Sequence, residues 1–170
     1  MLIPAAEYPI WPEFWLQIAT PLMFVPGSVY QLSGANGSGK SSFLSQLLLP
    51  RLRADKGLYC LYFEQQMRYQ LQSVKAYASL FAPRRLLHAE PEVVNWLLED
   101  LQRACQKEPR PIFLLVDESL YLAEILDFSQ SRFPDCCLIF SSHSPAPVPA
   151  QVISFQPQTA QRSRVDAVHI

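Results

Sequence analysis

The sequence predicts an α/β fold in three layers, a mainly parallel central sheet flanked by helices on both faces. Three observations predict it. Apolar runs of strand length alternate with amphipathic runs of helix length. A glycine-rich stretch, "GANGSGKSS" at 34–42, joins one such run to the next helix, and acidic residues stand at the C-terminal ends of two later runs.

Taken in order, "GSVYQLSG" at 27–34 is β-prone and ends in the glycine-rich stretch. "KSSFLSQLLLP" then sets Phe43, Leu44, Leu47 and Leu48 at helical spacing, and Pro50 is expected to close that helix. "GLYCLYFE" at 57–64 is nearly continuous in apolar residues, the pattern of a strand buried on both faces. "QQMRYQLQSVKAYASLFA" places Met67, Leu71, Val74, Ala78 and Phe81 on one helical stripe, read as core packing, and Pro83 follows as a stop. "RRLLHAE" is expected as a short strand. "PEVVNWLLEDLQRACQKE" is an amphipathic helix with Pro91 at its start and Val94, Leu97, Leu98, Leu101 and Cys105 inward. "PIFLLVDE" reads as the clearest buried strand, "LYLAEILDFSQ" as a short helix, "CCLIFSSH" as a further buried strand and "QVISF" as one more. Residues 1–26 form an N-terminal segment, and 144–170 a Pro-rich loop followed by a terminal strand and tail.

The chain has 170 residues, 49% of them apolar, enough for one domain with a substantial core spanning 1–170. Fourteen Lys and Arg against 15 Asp and Glu leave a formal net charge of −1, so no global positive field draws it to nucleic acid or anionic lipid. Arg84 and Arg85 are one candidate for a local basic patch. No apolar run has the length of a membrane span, and "MLIPAAEYPIWPEFW" lacks the basic start and unbroken apolar centre of a signal peptide, so the expected address is the cytoplasm. Cys60, Cys105, Cys136 and Cys137 form no C-x-x-C pair and have no His at zinc-ligand spacing, which reads as reduced, mostly buried thiols.

Gly34, Gly39, Lys40 and Ser41 fit G-x-x-x-x-G-K-[ST] without a mismatch, between a strand and a helix as the mechanism requires. In such a loop the backbone N–H groups around Asn36, Gly37, Ser38, Gly39 and Ser42 wrap phosphates and the helix N-terminus adds partial positive charge. Lys40 reaches the β and γ phosphates, and the Ser41 hydroxyl holds Mg²⁺. Asp117 ends an apolar strand where open α/β sheets place their ligands, and is a second candidate for the metal. Glu118, directly after it, can polarise an attacking water. Glu64 also ends a strand and is the other candidate base, though an acid opening a helix serves equally to favour its dipole. Ser142 and His143 close "CLIFSSH" at the same edge, where a polar group could sense the γ-phosphate. The aromatic residues Tyr8, Trp11, Phe14 and Trp15 precede the loop and could stack on adenine or pack structurally.

These residues resemble the P-loop nucleoside triphosphatases, and two of their branches. "GANGSGKSS", Asp117 with Glu118 and "LIFSSH" resemble an ABC-type ATPase. That resemblance implies Glu118 as the catalytic Glu, His143 as the switch His, Trp11 as the adenine-stacking aromatic and Gln65 or Gln66 as the Q-loop glutamine. The chain departs from it: no glycine follows Gly57, so no L-S-G-G-Q signature exists, 24 residues separate Lys40 from Gln65, and Glu124 stands where the D-loop Asp would be. The course from "KSSFLSQLLLPRLRADKGLYCLYFEQQ" to "PIFLLVDES" is similar to RecA-like ATPases of the RadA and KaiC type over residues 24–143, and implies Glu64 as the catalytic residue, Asp117 as the metal acid and Ser142 or His143 as the polar strand end. A four-cysteine finger and a basic DNA-binding loop are both lacking, so nucleic acid is not an expected partner. The resemblance implies ATP and Mg²⁺ as ligands, and a RecA-like energy-coupling or regulatory subunit that works as a homo-oligomer or with another protein. A reduced ABC-type subunit and a non-hydrolysing nucleotide-gated scaffold are the alternatives.

Overall fold

The structure, a computed structural model, describes residues 1–81 and 89–168. The expected strand "RRLLHAE" and the Arg84/Arg85 patch fall largely outside the described residues. An eight-stranded sheet forms the middle layer, in the order β2 (Ala6–Trp11), β3 (Phe14–Ile18), β10 (Arg162–Val168), β9 (Gln151–Thr159), β5 (Val29–Gly34), β8 (Cys137–Ser141), β7 (Ile112–Asp117), β6 (Tyr59–Phe63). From β9 to β6 every neighbour is parallel, and β3 also pairs parallel with β10. Only the β2–β3 and β9–β10 pairs run antiparallel. A separate ribbon joins β1 (Leu2–Ile3) to β4 (Leu22–Met23).

Alternation along the central strands builds two cores. Phe113, Leu115, Cys137 and Ile139 pack on one face against Phe43, Leu44, Leu47, Leu48 and Leu52 of the helix after the glycine-rich loop. Ile112, Leu114, Val116, Leu138 and Phe140 pack on the other, against Met67 and Ala78 of α3 (Met67–Phe81), Val94, Trp96 and Leu98 of α4 (Glu90–Lys107), and Ile125 and Leu126 of α5 (Leu122–Arg132). The result is a three-layer α/β architecture with a mainly parallel sheet and the loop strand β5 between β9 and β8. The chain leaves β5 for the far edge at β6 and returns through β7 and β8. The sheet thereby acquires a topological switch point beside β5, the place where such sheets bind ligands.

Several expectations are corrected. Pro50 does not close its helix. The chain runs as α1 (Lys40–Ser42), a π-helical stretch Phe43–Leu48 and α2 (Leu49–Ala54), with Leu49 N–H bonded to Leu44 O. Proline has no N–H to donate and its ring crowds the carbonyl four residues back, so a wider turn just before it lets the helix continue. Among the described residues the run at 57–64 gives an edge strand, paired there with β7 alone, and four of the five residues of β6 are only half-buried. "QVISF" extends to a nine-residue strand, and its partner β10 and the N-terminal strands β2 and β3 were not expected.

Candidate active site

Gly39 (φ 93) ends the glycine-rich loop and Lys40 begins α1 beneath it. The Lys40 ammonium is 4% exposed and donates to Gly34 O at 2.9 Å and Ala35 O at 3.1 Å. Its position is therefore set by the loop it would serve. Above the loop opens a cleft of about 610 Å³, within the range of small-molecule sites, lined by Asn36, Gly37, Gly39, Lys40, Ser41 and Ser42 on one side. Trp11 and Phe14 border it from the β2–β3 hairpin, and Gln65, Glu118 and His143 from the ends of the sheet strands. Gly34 and Ser38 lie behind this wall. A Cβ at Gly34 would come 2.4 Å from Phe155 O, and Ser38 Oγ is buried without a hydrogen-bond partner.

Register explains how the acids arrive. Asp117 and Ser141 are direct partners at the ends of β7 and β8, and both belong to the row of alternate residues that faces the loop helix. Asp117 Oδ1 accepts from Ser41 Oγ at 3.0 Å and Ser141 Oγ at 2.7 Å, and Oδ2 from Tyr62 OH at 3.4 Å. Burial, and then the negative charges of Asp117 and Glu64, push the Tyr62 phenol well above its ordinary range and keep it a hydrogen-bond donor. The next residue, Glu118, has φ 44, a left-handed conformation that costs a non-glycine residue about 1–2 kcal/mol. This bend turns the Glu118 carboxylate into the cleft. Oε1 lies 3.0 Å from His143 Nε2 and 3.8 Å from Lys40 Nζ, and Oε2 accepts from Gln65 Nε2 at 3.0 Å.

Of the two candidate bases, only Glu118 lines the cleft. Glu64 follows the edge strand, and its N–H donates to Gln70 Oε1 at 3.2 Å, while Gln70 Nε2 donates to Tyr62 O at 2.6 Å. The Gln70 amide bridges the main chain on either side of Phe63 and so fixes the turn that carries Gln65. Ser142 donates to Ser144 O at 3.1 Å rather than reaching into the cleft. Of the aromatic cluster, Trp11 and Phe14 reach the site, and Trp11 Nε1 donates to Ser42 Oγ at 3.4 Å. Tyr8 instead donates to Pro4 O and carries the Arg51 guanidinium over its ring.

Sequence reasoning missed Ser141, Tyr62 and Gln70. Tyr62 and Ser141 sit two residues before Glu64 and His143, so the alternation of strands could have placed both beside the two acids. Nothing in the sequence points to Gln70. Among the described residues no cluster of three His, Cys, Asp or Glu side chains forms a metal centre, and no helix is long and apolar enough to cross a membrane.

No protein-family model matches the chain, and neither does any curated protein. Among solved structures it is similar to a chain in the structure of Drosophila ORC bound to DNA, with 16% identity over 72% of this chain and 34% of that one, TM-score 0.42. It is similar as well to a KaiC-like protein from the hyperthermophilic archaeon Pyrococcus horikoshii, with 13% identity over 86% and 81%, TM-score 0.47. Caenorhabditis elegans PCH-2 matches with 16% identity over 72% and 31%, TM-score 0.38. The chain spans about a third of the length of the first and third of these.

Proposed function

We propose that this protein binds ATP with Mg²⁺ and hydrolyses it, as an energy-coupling or regulatory subunit of a larger assembly. The observation that carries this reading is the convergence of the glycine-rich loop, Lys40, Ser41, Gln65, Glu118 and His143 on one cleft. The loop amides and Lys40 bind the phosphates, and the aromatic side chains of Trp11 and Phe14 offer the base an apolar wall. Ser41 Oγ and Asp117 Oδ1, 3.0 Å apart, form an oxygen-only donor pair that suits a small hard cation bound together with phosphate oxygens. When bound there, Mg²⁺ supplies charge neutralisation at the β and γ phosphates.

Glu118 orders the attacking water and takes its proton as the water oxygen attacks the γ-phosphorus and ADP departs. In the geometry described, Gln65 Nε2 donates to one Glu118 oxygen, and His143 Nε2 and Lys40 Nζ face the other at 3.0 and 3.8 Å. A γ-phosphate competes for Lys40 and His143, and releases Oε1 toward the water. Substrate binding thereby arms the base, and an empty cleft leaves it held.

The placement of Gln65, Glu118 and His143 also favours the ABC-type assignment of roles over the RecA-like one, which relies on Glu64. The deciding experiment measures ATP binding and turnover for wild type, Glu118→Gln, Glu64→Gln and Lys40→Ala, alone and in whatever assembly the protein forms. Loss of turnover with retained binding in Glu118→Gln alone is the expected result. Loss confined to Glu64→Gln restores the RecA-like assignment, and unimpaired ATP binding by Lys40→Ala removes the nucleotide reading altogether.

A further inference from the structure

We infer that Ser141 is a positioning residue for this hydrolysis, tying the metal acid Asp117 to the backbone of the base Glu118. The inference rests on the ATPase reading above. Ser141 is 1% exposed at the end of β8, and its row on the sheet is otherwise apolar, with Cys137 and Ile139 before it. A hydroxyl buried in such a row costs about 1–3 kcal/mol unless it is bonded. Here it makes two bonds of opposite sense: its single proton goes to Asp117 Oδ1 at 2.7 Å, and its lone pair accepts the Glu118 N–H at 3.0 Å.

One side chain therefore holds the carboxylate of one acid and the main chain of the next. The second bond matters because Glu118 occupies the left-handed region, which its chain would leave if it were free to relax. Relaxation of φ toward negative values would swing the carboxylate away from His143 and Lys40, and with it the proton acceptor. The other hydroxyl on Asp117 Oδ1 is Ser41, so Ser41, Asp117, Ser141 and the Glu118 N–H form one hydrogen-bonded chain from the metal side of the cleft to the base. Alanine at 141 cuts that chain in the middle without touching the phosphate loop.

The test compares Ser141→Ala and Ser141→Thr with wild type in steady-state ATP hydrolysis and direct ATP binding, and follows hydrogen exchange of the Glu118 N–H. For Ser141→Ala we expect kcat to fall about 100-fold, the scale of a misplaced catalytic group, with ATP affinity and KM little changed. Threonine keeps the hydroxyl and should restore most of the rate. The Glu118 N–H should exchange slowly in wild type and Ser141→Thr, and at least tenfold faster in Ser141→Ala. Unchanged kcat in the alanine variant overturns the inference, as does a parallel loss of kcat and ATP affinity, which would mark Ser141 as a packing residue. Should the alanine variant not fold, a wild-type Glu118 N–H that exchanges as fast as an open loop overturns it instead. A wild type that binds no ATP overturns the nucleotide reading, while the exchange rates still decide whether Ser141 holds Glu118.

Discussion

Asp117 and Glu118 are adjacent acids in different settings, and the backbone between them separates the two. Asp117 is the last extended residue of β7, 3% exposed and held by three hydroxyls, which suits a fixed metal acid. Glu118, past the end of the strand and in the left-handed region, projects into the cleft where a water can reach it. Its strain makes a prediction that reverses the usual order. Glycine at an ordinary position is less stable than alanine by about 0.5–1 kcal/mol. At 118 the left-handed backbone suits glycine, so Glu118→Gly should be more stable than Glu118→Ala by about 1 kcal/mol. Urea unfolding of the two variants measures the difference, and an alanine variant as stable as the glycine one would mean that φ at 118 relaxes freely. Both variants should be inactive while still binding ATP, which separates the cost of the conformation from its use.

At the scale of elements, the N-terminal hairpin β2–β3 and the glycine-rich loop are fitted to each other. A Cβ at Gly39, where φ is 93, would lie 2.9 Å from the Phe14 ring and 3.0 Å from Leu16. Gly39→Ala is thus opposed by backbone strain and by the hairpin at once, and should abolish ATP binding, the outcome also expected of Lys40→Ala. Phe14→Ala removes the Phe14 contacts and leaves Leu16 in place, so combining it with Gly39→Ala should recover part of the binding; a double variant no better than Gly39→Ala would leave the backbone conformation and Leu16 as what forbids a side chain there. The hairpin itself was not legible in the sequence, for physical reasons. β2 contains Pro9 and turns only Tyr8 and Ile10 inward, with Trp11 exposed beside them, so its apolar alternation is too short to read as a strand. β10 reads "RSRVDAV", with Arg164 and Asp166 paired on its exposed face. Central strands β7 and β8 were legible because both of their faces are buried, and the turn between β5 and α1 because its glycines are close together in the chain. Gln65 and Ser141 meet Glu118 across 53 and 23 positions of chain, and that meeting is a property of strand order, which local patterns do not carry.

For the whole molecule, the two cores meet across the sheet, and at the start of β8 they share a pair of thiols. Cys137 packs with the core under the phosphate-loop helix and Cys136 with the core under α3 to α5. Burial pushes both thiols from 9.0 to about 12, and Cys60 on β6 to about 11. The sign of the consequence follows from which state can ionise. Below pH 9 folded and unfolded chains both keep these thiols protonated, and their contribution to stability is fully present. Between about pH 9 and the folded values the unfolded chain releases the protons and the folded chain does not. Stability therefore falls with rising pH, by up to about 1.4 kcal/mol per pH unit for each thiol. Tyr62, raised above its ordinary 10, adds to the fall only at higher pH, so the interval from 9 to 10 belongs chiefly to the thiols. Unfolding free energies of wild type and Cys136→Ala at pH 8, 9 and 10 test this. The variant should start less stable, because a buried sulfur is lost, and its stability should fall less steeply, so that the gap narrows toward pH 10. A gap that stays constant over that interval would show that Cys136 ionises as readily in the folded protein as in the unfolded chain, and that the seam between the two cores admits water.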